Sequence, residues 1–291
     1  MISPNDFLIT DGSKFKLSRH PTKLAKEIAK DDLKEYVKKD AKQIGKLQEK
    51  LYAENNRSLL LIFQAMDAAG KDSCIARVLS DVNPPGCSVT SFKSPTTEEL
   101  AHDFLWRHAK AMPATGMLGV HNRSHYEEVL VVKVHPEYLI GEHLPGINTG
   151  DDAGKAFWEA RYDSIRNFEE HHSRQGTTIM KFYLNMGRDA QKERFLERIE
   201  DPKKNWKFGM GDVKERAHWD EYMAAYEAAI RATSTPSAPW YVVPADDQWE
   251  TRAIVCRAVR EQLETMDPQI PKLSDKAAAE LPKAAKALNA E

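Results

Sequence analysis

The chain has 291 residues and a hydrophobic fraction of 41%, and its 42 basic and 44 acidic side chains nearly balance. This length fits one large α/β domain or two small ones, and the composition suffices to bury a core. No run approaches 18 apolar residues, the N-terminus lacks the order of a signal peptide, and the three cysteines show neither disulfide nor metal-ligand spacing. We therefore expect a cytoplasmic protein without a membrane span.

Apolar patterns predict strands and helices that alternate along most of the chain. Strands are predicted over 58–64, 87–92, 117–121, 177–184 and 240–244, and helices over 20–54, 72–82, 96–108, 156–173, 191–199, 212–233 and 249–266. This alternation predicts an α/β fold, with a parallel sheet covered by helices on both faces. We expect one domain over 1–291, comprising a basic helical extension (1–57), a core (58–266) and a partly disordered tail (275–291).

The first strand is followed by a segment that predicts a phosphate-binding loop, here called the Gly-Lys loop (residues 65–73). Its sequence is Ala65-Met66-Asp67-Ala68-Ala69-Gly70-Lys71-Asp72-Ser73. Backbone N–H groups at the start of the following helix can point at phosphate oxygens, and glycine permits a close approach. We expect phosphate or nucleotide contacts from Ala68, Ala69, Gly70, Asp72 and Ser73, and charge neutralisation from Lys71.

The Gly-Lys loop departs from the full P-loop pattern. Ala65 replaces the first glycine, Asp72 replaces the hydroxyl that binds magnesium, and Ser73 comes one position late. By pattern alone, an ordinary strand–turn–helix connection explains the segment about as well. Asp67 favours a phosphate-binding loop that also holds a metal ion, because a carboxylate beside phosphates requires a cation between them. The loop therefore predicts a Mg²⁺ site at Asp67.

A second polar cluster, His121-Asn122-Arg123-Ser124, ends the strand predicted over 117–121. The carboxyl ends of parallel strands meet at one edge of a sheet, so this cluster should lie beside the Gly-Lys loop. Asn122 stands where nucleotide-cleaving P-loop enzymes carry an acidic ligand, and Arg123 can stabilise a transferring phosphoryl group. Glu127 and Glu128 follow one turn later, and either bind the nucleotide or a magnesium-bound water, or simply start a solvated helix.

The N-terminal part of the chain is locally basic. Between Lys14 and Lys50 there are 12 Lys or Arg residues against 6 Asp or Glu. Such a segment either faces a polyanion or forms a solvated helix with charge pairs four residues apart. The charge count alone favours the solvated helix.

Taken together, several segments resemble a known family. The matching segments are Asp67–Asp72, Asn122–Glu127, Arg161–Glu169, Trp206–Phe208 and Ala238–Pro244. From about Lys14 to Leu263, their order and spacing resemble the polyphosphate kinase 2 family. The form Asn-Arg-Ser-His-Tyr-Glu is similar to the class III subgroup, which phosphorylates both AMP and ADP.

The resemblance implies a fold like that of thymidylate kinases, with a P-loop core in a three-layer sandwich, a mobile helical lid over roughly 136–175 and a channel for polyphosphate. It implies reversible transfer of a terminal phosphoryl group from inorganic polyphosphate to adenine or guanine nucleotides. The cofactor would be Mg²⁺, with Mn²⁺ as an alternative. A homodimer or homotetramer is implied as well, with neither nucleic acid nor a membrane as a partner.

The resemblance also assigns roles to single residues. Asp67 and Asn122 would lie at the metal and phosphate site, with Asp67 as the metal ligand, while Lys71 and Arg123 would hold the transferring phosphates. A further catalytic arginine would come from the helix after the fourth strand, where Arg188 and Arg194 are both candidates. Polyphosphate carries about one charge per unit, so several spaced cations are needed to hold it. The family places these cations before the first helix, at Lys14, Lys16 and Arg19, and His125 would be structural or contact the nucleotide.

Two other functions remain open from the sequence. An ATP-dependent nucleoside monophosphate kinase would use the same core without polyphosphate, but the many cations outside the Gly-Lys loop argue against it. A non-catalytic protein that binds polyanions would need only the basic helices, but Asp67 and Lys71 together argue against that.

Overall fold

The structure is a computed structural model that describes residues 2–290, except for the side chain of Lys207. A six-stranded sheet forms its centre. The strands are β1 (Leu8–Ile9), β2 (Ser58–Gln64), β3 (Cys87–Ser91), β4 (Leu118–Asn122), β5 (Thr177–Asn185) and β6 (Trp240–Pro244). Their spatial order is β1-β6-β5-β2-β4-β3, and all neighbours are parallel except the edge pair β1 and β6.

Helices cover both faces of the sheet, which confirms the predicted α/β sandwich. They are α1 (Lys30–Glu54), α2 (Lys71–Val78), α3 (Thr97–Leu100), α4 (Trp106–Lys110), α5 (Val131–Val134), α6 (Lys155–Arg174), α7 (Arg188–Glu200), α8 (Met210–Glu215), α9 (Trp219–Thr233), α10 (Gln248–Met266) and α11 (Asp275–Leu288). Helices α1, α2 and α10 pack together in one layer, and α6 packs on β5 and α9 in the other. In the described residues, no helix is both long and apolar enough to cross a membrane.

Strand β2 lies at the centre of the sheet, between β4 and β5. All seven of its residues are buried, as expected for a parallel strand covered on both faces. The chain leaves β2 toward β3 on one side, whereas β5 lies on the other side. A crevice is expected beyond the carboxyl ends of strands at such a switch in direction, and the Gly-Lys loop begins there.

The helix predicted over 20–54 begins only at Lys30, so its first ten residues were assigned wrongly. Residues 20–29 are held away from helical geometry by tertiary partners. The carbonyl of Thr22 accepts hydrogen bonds from the backbone N–H groups of Ala245 and Asp246, at 3.0 and 2.9 Å. The N–H of Leu24 donates to the carboxylate of Glu250 at 3.2 Å. These bonds outweigh the helical preference of a charged sequence.

Helix α1 belongs to the core layer, whereas its sequence predicts part of an N-terminal extension. Asp40 on α1 is buried and accepts from Arg257 at 2.8 Å and lies 3.2 Å from Arg260, both on α10. Its apolar stripe, including Ile44 and Leu51, is fully buried. The charge of α1 therefore lies mostly on one exposed side and in this ion-pair cluster.

Other predicted boundaries also change. Strand β1 was not predicted, since two residues carry no periodicity. The single helix predicted over 96–108 is divided into α3 and α4, and a capping box at Thr96 and Glu99 starts α3. The helix predicted over 212–233 is interrupted between α8 and α9. The tail predicted to be disordered forms α11, which starts at a Ser274 cap and buries none of its residues.

The predicted lid over 136–175 is wrong in its second half. That half is α6, whose Tyr162 and Ile165 are buried in the core. Its loop half, which includes residues 137–142, borders a cavity described below. Loop composition identified the irregular part of this segment, but an amphipathic helix on a lid and one on a core have the same apolar period.

Candidate active site

A cavity of about 930 Å³ opens at the carboxyl edge of the sheet, and the Gly-Lys loop forms one of its walls. Cations outnumber acids around this first cavity. Its cationic residues are Lys30, Lys71, Lys93, Arg123, Arg194, Arg198 and Lys204, and its acidic residues are Asp67, Asp72, Glu197, Asp246 and Asp247. The cavity is therefore suited to a ligand with several negative charges, such as a chain of phosphates.

The backbone of the Gly-Lys loop is strained and held by contacts from α7. Ala68 has a φ of 66°, a left-handed conformation that costs a non-glycine residue about 1–2 kcal/mol, whereas Gly70 adopts φ 95° without this cost. The guanidinium of Arg194 donates to the carbonyl of Ala68 at 3.0 Å. Gln191 donates from Nε2 to the carbonyl of Asp67 at 3.0 Å. Contacts from α7 thus stabilise a loop shape that Ala68 alone would disfavour.

Lys71 is the first residue of α2, and its ammonium lies under the Gly-Lys loop. Its Nζ donates to the carbonyl of Ala65 at 2.7 Å. Burial lowers the pKa of the Lys71 ammonium, an effect that the nearby carboxylate of Asp67 opposes. An ammonium has three donors, so two remain for an anion in the cavity.

Arg123 lies opposite the loop, where it pairs with Asp67. Its Nη2 is 3.1 Å from Oδ1 of Asp67, and both side chains are only partly exposed. Arg123 has a φ of 63°, so a second non-glycine residue of this site is in the left-handed region. Its N–H donates to the carbonyl of Phe63 at 3.0 Å, which fixes the backbone to the end of β2. Strain of this kind occurs where surrounding contacts enforce a functional geometry.

A second cavity, of about 540 Å³, meets the first at Phe92, Lys93 and Arg123. Its walls are mainly apolar, with several carboxylates between the apolar groups. The apolar members include Phe92, Pro95, Leu100, Phe104, Val131 and Tyr138, and the acidic ones are Glu99, Asp103, Glu127, Glu128, Glu137 and Glu142. Flat apolar surface with hydrogen-bond acceptors suits a nucleobase and ribose better than it suits a bare anion.

The two predicted glutamates lie in this second cavity. Burial raises the pKa of Glu127, and the positive charges of Arg123 and Lys71 oppose this. Burial raises the pKa of Glu128 to about 7, with a further contribution from Glu142. Arg107 and Arg161 each approach a carboxylate oxygen of Glu128 at 3.4 Å, so this carboxyl is paired rather than a solvated helix start.

The structure brings together most of the predicted site residues. Asp67, Ala68, Ala69, Gly70, Lys71, Asp72, Ser73, Asn122, Arg123 and Arg194 line the first cavity, and Glu127 and Glu128 line the second. Asn122 and Ser73 also have partners within this part of the chain. Asn122 donates to Asp72 at 2.7 Å, and the Ser73 hydroxyl donates to the Gly70 carbonyl at 2.9 Å.

The two arginines predicted after the fourth strand differ in their placement. Arg188 is exposed and does not line either cavity. Arg194 lines the first cavity, but its guanidinium also donates to the carbonyls of Ala245 and Asp246, at 2.7 and 2.8 Å, besides that of Ala68. Arg194 therefore holds the loop, and the prediction of a catalytic arginine at these two positions is not supported by their geometry.

His125 is also not at a cavity wall. It is fully buried, and its Nε2 lies 3.3 Å from Glu169. The same carboxylate accepts from Tyr126 at 2.7 Å and from Lys181 at 2.6 Å. A buried ion pair with all these partners is structural, so the structural alternative holds for His125, not the nucleotide contact.

The predicted polyphosphate residues lie on an N-terminal arm (residues 10–29). Lys14, Lys16 and Arg19 are exposed and do not line either cavity. Buried Phe15 and Leu17 fix the arm to the core between them. The arm then reaches the carboxyl edge of the sheet, where the Thr22 hydroxyl donates to Asp246 at 2.6 Å. These cations therefore precede a segment that ends beside the first cavity.

Several cavity residues were missed, above all Lys30, Lys93, Arg198, Lys204 and Trp249. Lys93 follows β3, so the rule that strand ends share an edge could have found it. Arg198 and Lys204 belong to a stretch (residues 197–216, here the overhanging segment) of which Glu197, Arg198 and Lys204 border the first cavity. No local pattern predicts that placement, because it depends on the path of the chain after α7.

The residues present suit a metal ion that arrives with phosphates. In the described part of the chain, His, Cys, Asp and Glu nowhere form a cluster of three or more that could hold a metal ion. Mg²⁺ is commonly bound by one or two carboxylates together with substrate phosphates and water. Asp67 at the wall of a cationic cavity offers one such carboxylate, so the site fits the predicted Mg²⁺ only in the presence of a phosphate ligand.

Two buried histidines, His108 and His121, predict sensitivity to acid. His108 and His125 rings lie 5.6 Å apart, and His108 and His121 rings 6.4 Å apart. Burial lowers the pKa of His108, and it lowers that of His121 to about 4. The unfolded chain takes up these protons near pH 6.5, so stability should fall from about pH 6.5 downward, by about 1.4 kcal/mol per unit and histidine.

This prediction can be checked by urea unfolding between pH 7 and 5. The free energy of unfolding should decrease as the pH is lowered. His121→Gln should reduce the slope of this free energy against pH, even if the variant is less stable at pH 7. Glu128 acts in the opposite sense, because its raised pKa stabilises the folded state at low pH. The comparison of slopes between wild type and variant cancels that contribution, and equal slopes would contradict the prediction.

The fold and the site together define an α/β protein that presents a strained Gly-Lys loop and a cationic cavity at the switch point of a parallel sheet. A family model described as Polyphosphate kinase 2 (PPK2) matches residues 27–271. The chain belongs to the polyphosphate kinase 2 family.

Named relatives agree with this assignment. The chain is 47% identical to the ADP-polyphosphate phosphotransferase of Rhodopseudomonas palustris, over 93% of either chain. It is 46% identical to the AMP/ADP-polyphosphate phosphotransferase of Meiothermus ruber, over 79% of this chain and 80% of that one. The crystal structure of polyphosphate kinase 2 from Arthrobacter aurescens superposes with a TM-score of 0.88 at 40% identity, covering 98% of this chain and 97% of the other.

Proposed function

We propose that the protein transfers the terminal phosphoryl group of inorganic polyphosphate to AMP and ADP. The observation that carries this proposal is the junction of two unlike cavities at Arg123. One is cationic and suited to a phosphate chain, and the other is apolar with carboxylates and suited to a nucleoside. Relatives named for transfer between polyphosphate and ADP, or AMP and ADP, support the same substrates.

The polyphosphate end would lie in the first cavity, with its terminal phosphoryl group near Lys71 and Arg123. Further units would follow the cations of that cavity, and Lys14, Lys16 and Arg19 on the arm would bind more distant units. The nucleotide would lie in the second cavity, with its last phosphate at the junction. Asp67 would hold Mg²⁺ (or Mn²⁺), which when bound screens the charge of the two phosphates.

The reaction needs no general base, because the acceptor phosphate oxygen is already ionised. This oxygen forms a bond to the terminal phosphorus of polyphosphate. The bond from that phosphorus to its bridging oxygen breaks, and the electron pair leaves with the shortened chain. Lys71 and Arg123 stabilise the charge on the transferring group, while the loop and the end of β4 hold the reactants in line. The step is reversible, since both sides contain the same types of bond.

The second cavity can accommodate more than one nucleotide. The volume of the second cavity, about 540 Å³, has room for AMP or ADP. The paired carboxylates at its wall are acceptors for ribose hydroxyls and for the amino groups of adenine or guanine. The cytoplasmic location and the homodimer or homotetramer implied by the resemblance stay predictions.

A single assay tests the proposal. Purified protein is incubated with Mg²⁺, polyphosphate and AMP, without ATP, and nucleotides are separated by ion-exchange chromatography. We expect ADP first and ATP later, with loss of product when EDTA is added or polyphosphate is omitted. A parallel reaction with ADP as the only acceptor tests the class III prediction.

The rival functions predict other results. Formation of ADP from ATP and AMP, with no product from polyphosphate, would indicate an ordinary nucleoside monophosphate kinase. Salt-sensitive binding of polyphosphate without any turnover would indicate a non-catalytic binding protein. Either result would reject the proposal.

A further inference from the structure

The side chain of Gln191 on α7 links the Gly-Lys loop to the overhanging segment. It is 1% exposed, and both ends of its amide are bonded. Nε2 donates to the carbonyl of Asp67 at 3.0 Å, while Oε1 accepts from Nη1 of Arg216 at 2.8 Å. Arg216, which directly follows α8, also donates to the carbonyl of Arg188 at 2.7 Å. One amide therefore connects the proposed metal-binding residue with the end of the overhanging segment.

Helix α7 is a fixed support for this link. The N–H of Gly187, just before the helix, donates to Asp246 at 2.6 Å. Arg194 joins the second turn of α7 to the carbonyls of Ala245 and Asp246. Because both turns are tied to the end of β6, the amide of Gln191 has a defined position from which it bonds the loop.

The overhanging segment lies close to the reacting groups. Asp212 on α8 pairs with Arg198 at 3.4 Å. Burial raises the pKa of Asp212, and the carboxylate of Asp67 raises it further, so these two acids are near each other. A phosphate chain in the first cavity would touch Arg198 and Lys204 of the same segment. Its binding would therefore bias the position of α8 and of Arg216.

The Gly-Lys loop can respond to such a bias. The carbonyl held by Gln191 belongs to the peptide between Asp67 and Ala68, and Ala68 is in the left-handed region. A strained backbone keeps its shape only while neighbouring contacts enforce it. Loss or displacement of the hydrogen bond lets this peptide turn, which redirects the Asp67 side chain and the N–H of Ala68.

We propose that Gln191 is a positioning residue for phosphoryl transfer. Together with Arg216, it makes the conformation of the Gly-Lys loop depend on the position of the overhanging segment. The inference rests on the proposed function, since its readout is polyphosphate-dependent turnover. It differs from that function in assigning a role to two residues that touch neither substrate. A shift of Asp67 by about 1 Å is enough to matter, because misplacement of that size can lower rates about a hundredfold.

The first test replaces Gln191 by Met, which fits the buried space but forms neither bond. We expect kcat to fall about 10- to 100-fold, while KM for ADP changes less than about threefold. Gln191→Glu keeps an acceptor for Arg216 but loses the donor to Asp67, so it should be impaired as well. Melting temperatures of all variants are measured in parallel.

Gln48→Met is the matched control. Gln48 on α1 is also fully buried and also bonded at both ends of its amide, in its case to two backbone groups, the carbonyl of Gly86 at 3.1 Å and the N–H of Asn83 at 3.2 Å. It lies outside both cavities, so its loss should lower the melting temperature but leave kcat unchanged. A Gln191→Met protein with normal kcat, or a kcat loss shared by Gln48→Met, would overturn the inference.

The second test is a double-mutant cycle. Arg216→Met should lower kcat, Arg216→Lys should restore most of it through a new donor, and the double variant should be no slower than Gln191→Met alone. Independent, additive losses would overturn the link between the two residues. A wild-type protein without polyphosphate-dependent turnover would reject the proposed function itself. An active wild type with an equally active Gln191→Met variant would reject only the role of Gln191.

Discussion

Replacing Lys71 by Met should lower polyphosphate-dependent turnover by about a thousandfold or more while leaving the fold intact. The ammonium lies at the wall of the first cavity and is held under the loop by the Ala65 carbonyl at 2.7 Å. It is thus fixed in advance where charge accumulates on the transferring phosphoryl group, which is the arrangement that lowers a barrier most. Both kcat and kcat/KM should fall together, because the contact is strongest in the transition state.

Stability should not follow activity in this variant. Burial lowers the pKa of Lys71, so the folded state disfavours its charge relative to water, and an apolar side chain removes that cost. The free energy of unfolding should stay within about 1 kcal/mol of wild type or rise. A variant that loses turnover only because it unfolds would contradict this account.

Lys155 offers a matched control for Lys71. It is also the first residue of a helix, follows a glycine, and pairs with a carboxylate, Glu159, at 3.5 Å. Its side chain is 89% exposed and lies outside both cavities. Lys155→Met should therefore leave turnover unchanged, and near-normal turnover in Lys71→Met would reject the role of Lys71.

The core of the site was predictable because it depends on short stretches of chain. Strand β2 was predicted over the residues that form it, since a continuous apolar run bounded by polar turns has few alternatives. Once β2 is placed, the glycine and lysine of the loop are expected at the start of the next helix, α2. The encounter of Arg123 with Asp67 was also predictable, because parallel strands bring their carboxyl ends to one edge.

Other features depend on packing that leaves no local trace. Arg194 and Arg188 are equally plausible as catalytic residues from sequence, since both follow β5 on one helix. The guanidinium of Arg194 is engaged by three backbone carbonyls, and the position of those carbonyls is set by β6 and the loop. Gln191 has no charge or motif that would attract notice, yet it bonds the Asp67 carbonyl. The position of the overhanging segment beside the first cavity was missed for the same reason.

Replacing Arg123 by Gly should separate activity from stability more sharply than any other change at the site. An arginine on a transferring phosphoryl group contributes about 10³- to 10⁵-fold to turnover, so Arg123→Gly should lose at least about a thousandfold. Arg123→Lys keeps the charge without the planar fork and should lose less, but still about tenfold or more. Both rates are measured with saturating polyphosphate and ADP.

The stability of Arg123→Gly should not fall together with its turnover. With its φ of 63°, Arg123 pays about 1–2 kcal/mol that glycine does not. The greater freedom of glycine in the unfolded chain offsets about 0.4–1 kcal/mol of this gain. The lost pair with Asp67 contributes little, because both side chains are partly exposed. Arg123→Gly should therefore unfold at the same or a higher urea concentration than wild type.

Asp267 provides the control for that argument. It also has a positive φ, 45°, but it ends α10 outside both cavities. Asp267→Gly should be as stable as wild type or more stable, with unchanged turnover. If Arg123→Gly were instead destabilised by more than about 1 kcal/mol, the left-handed backbone would not be strained there, and Arg123 would serve the fold. If it is stable and inactive, the protein keeps a strained residue at the junction of its two cavities because phosphoryl transfer requires an arginine at that point.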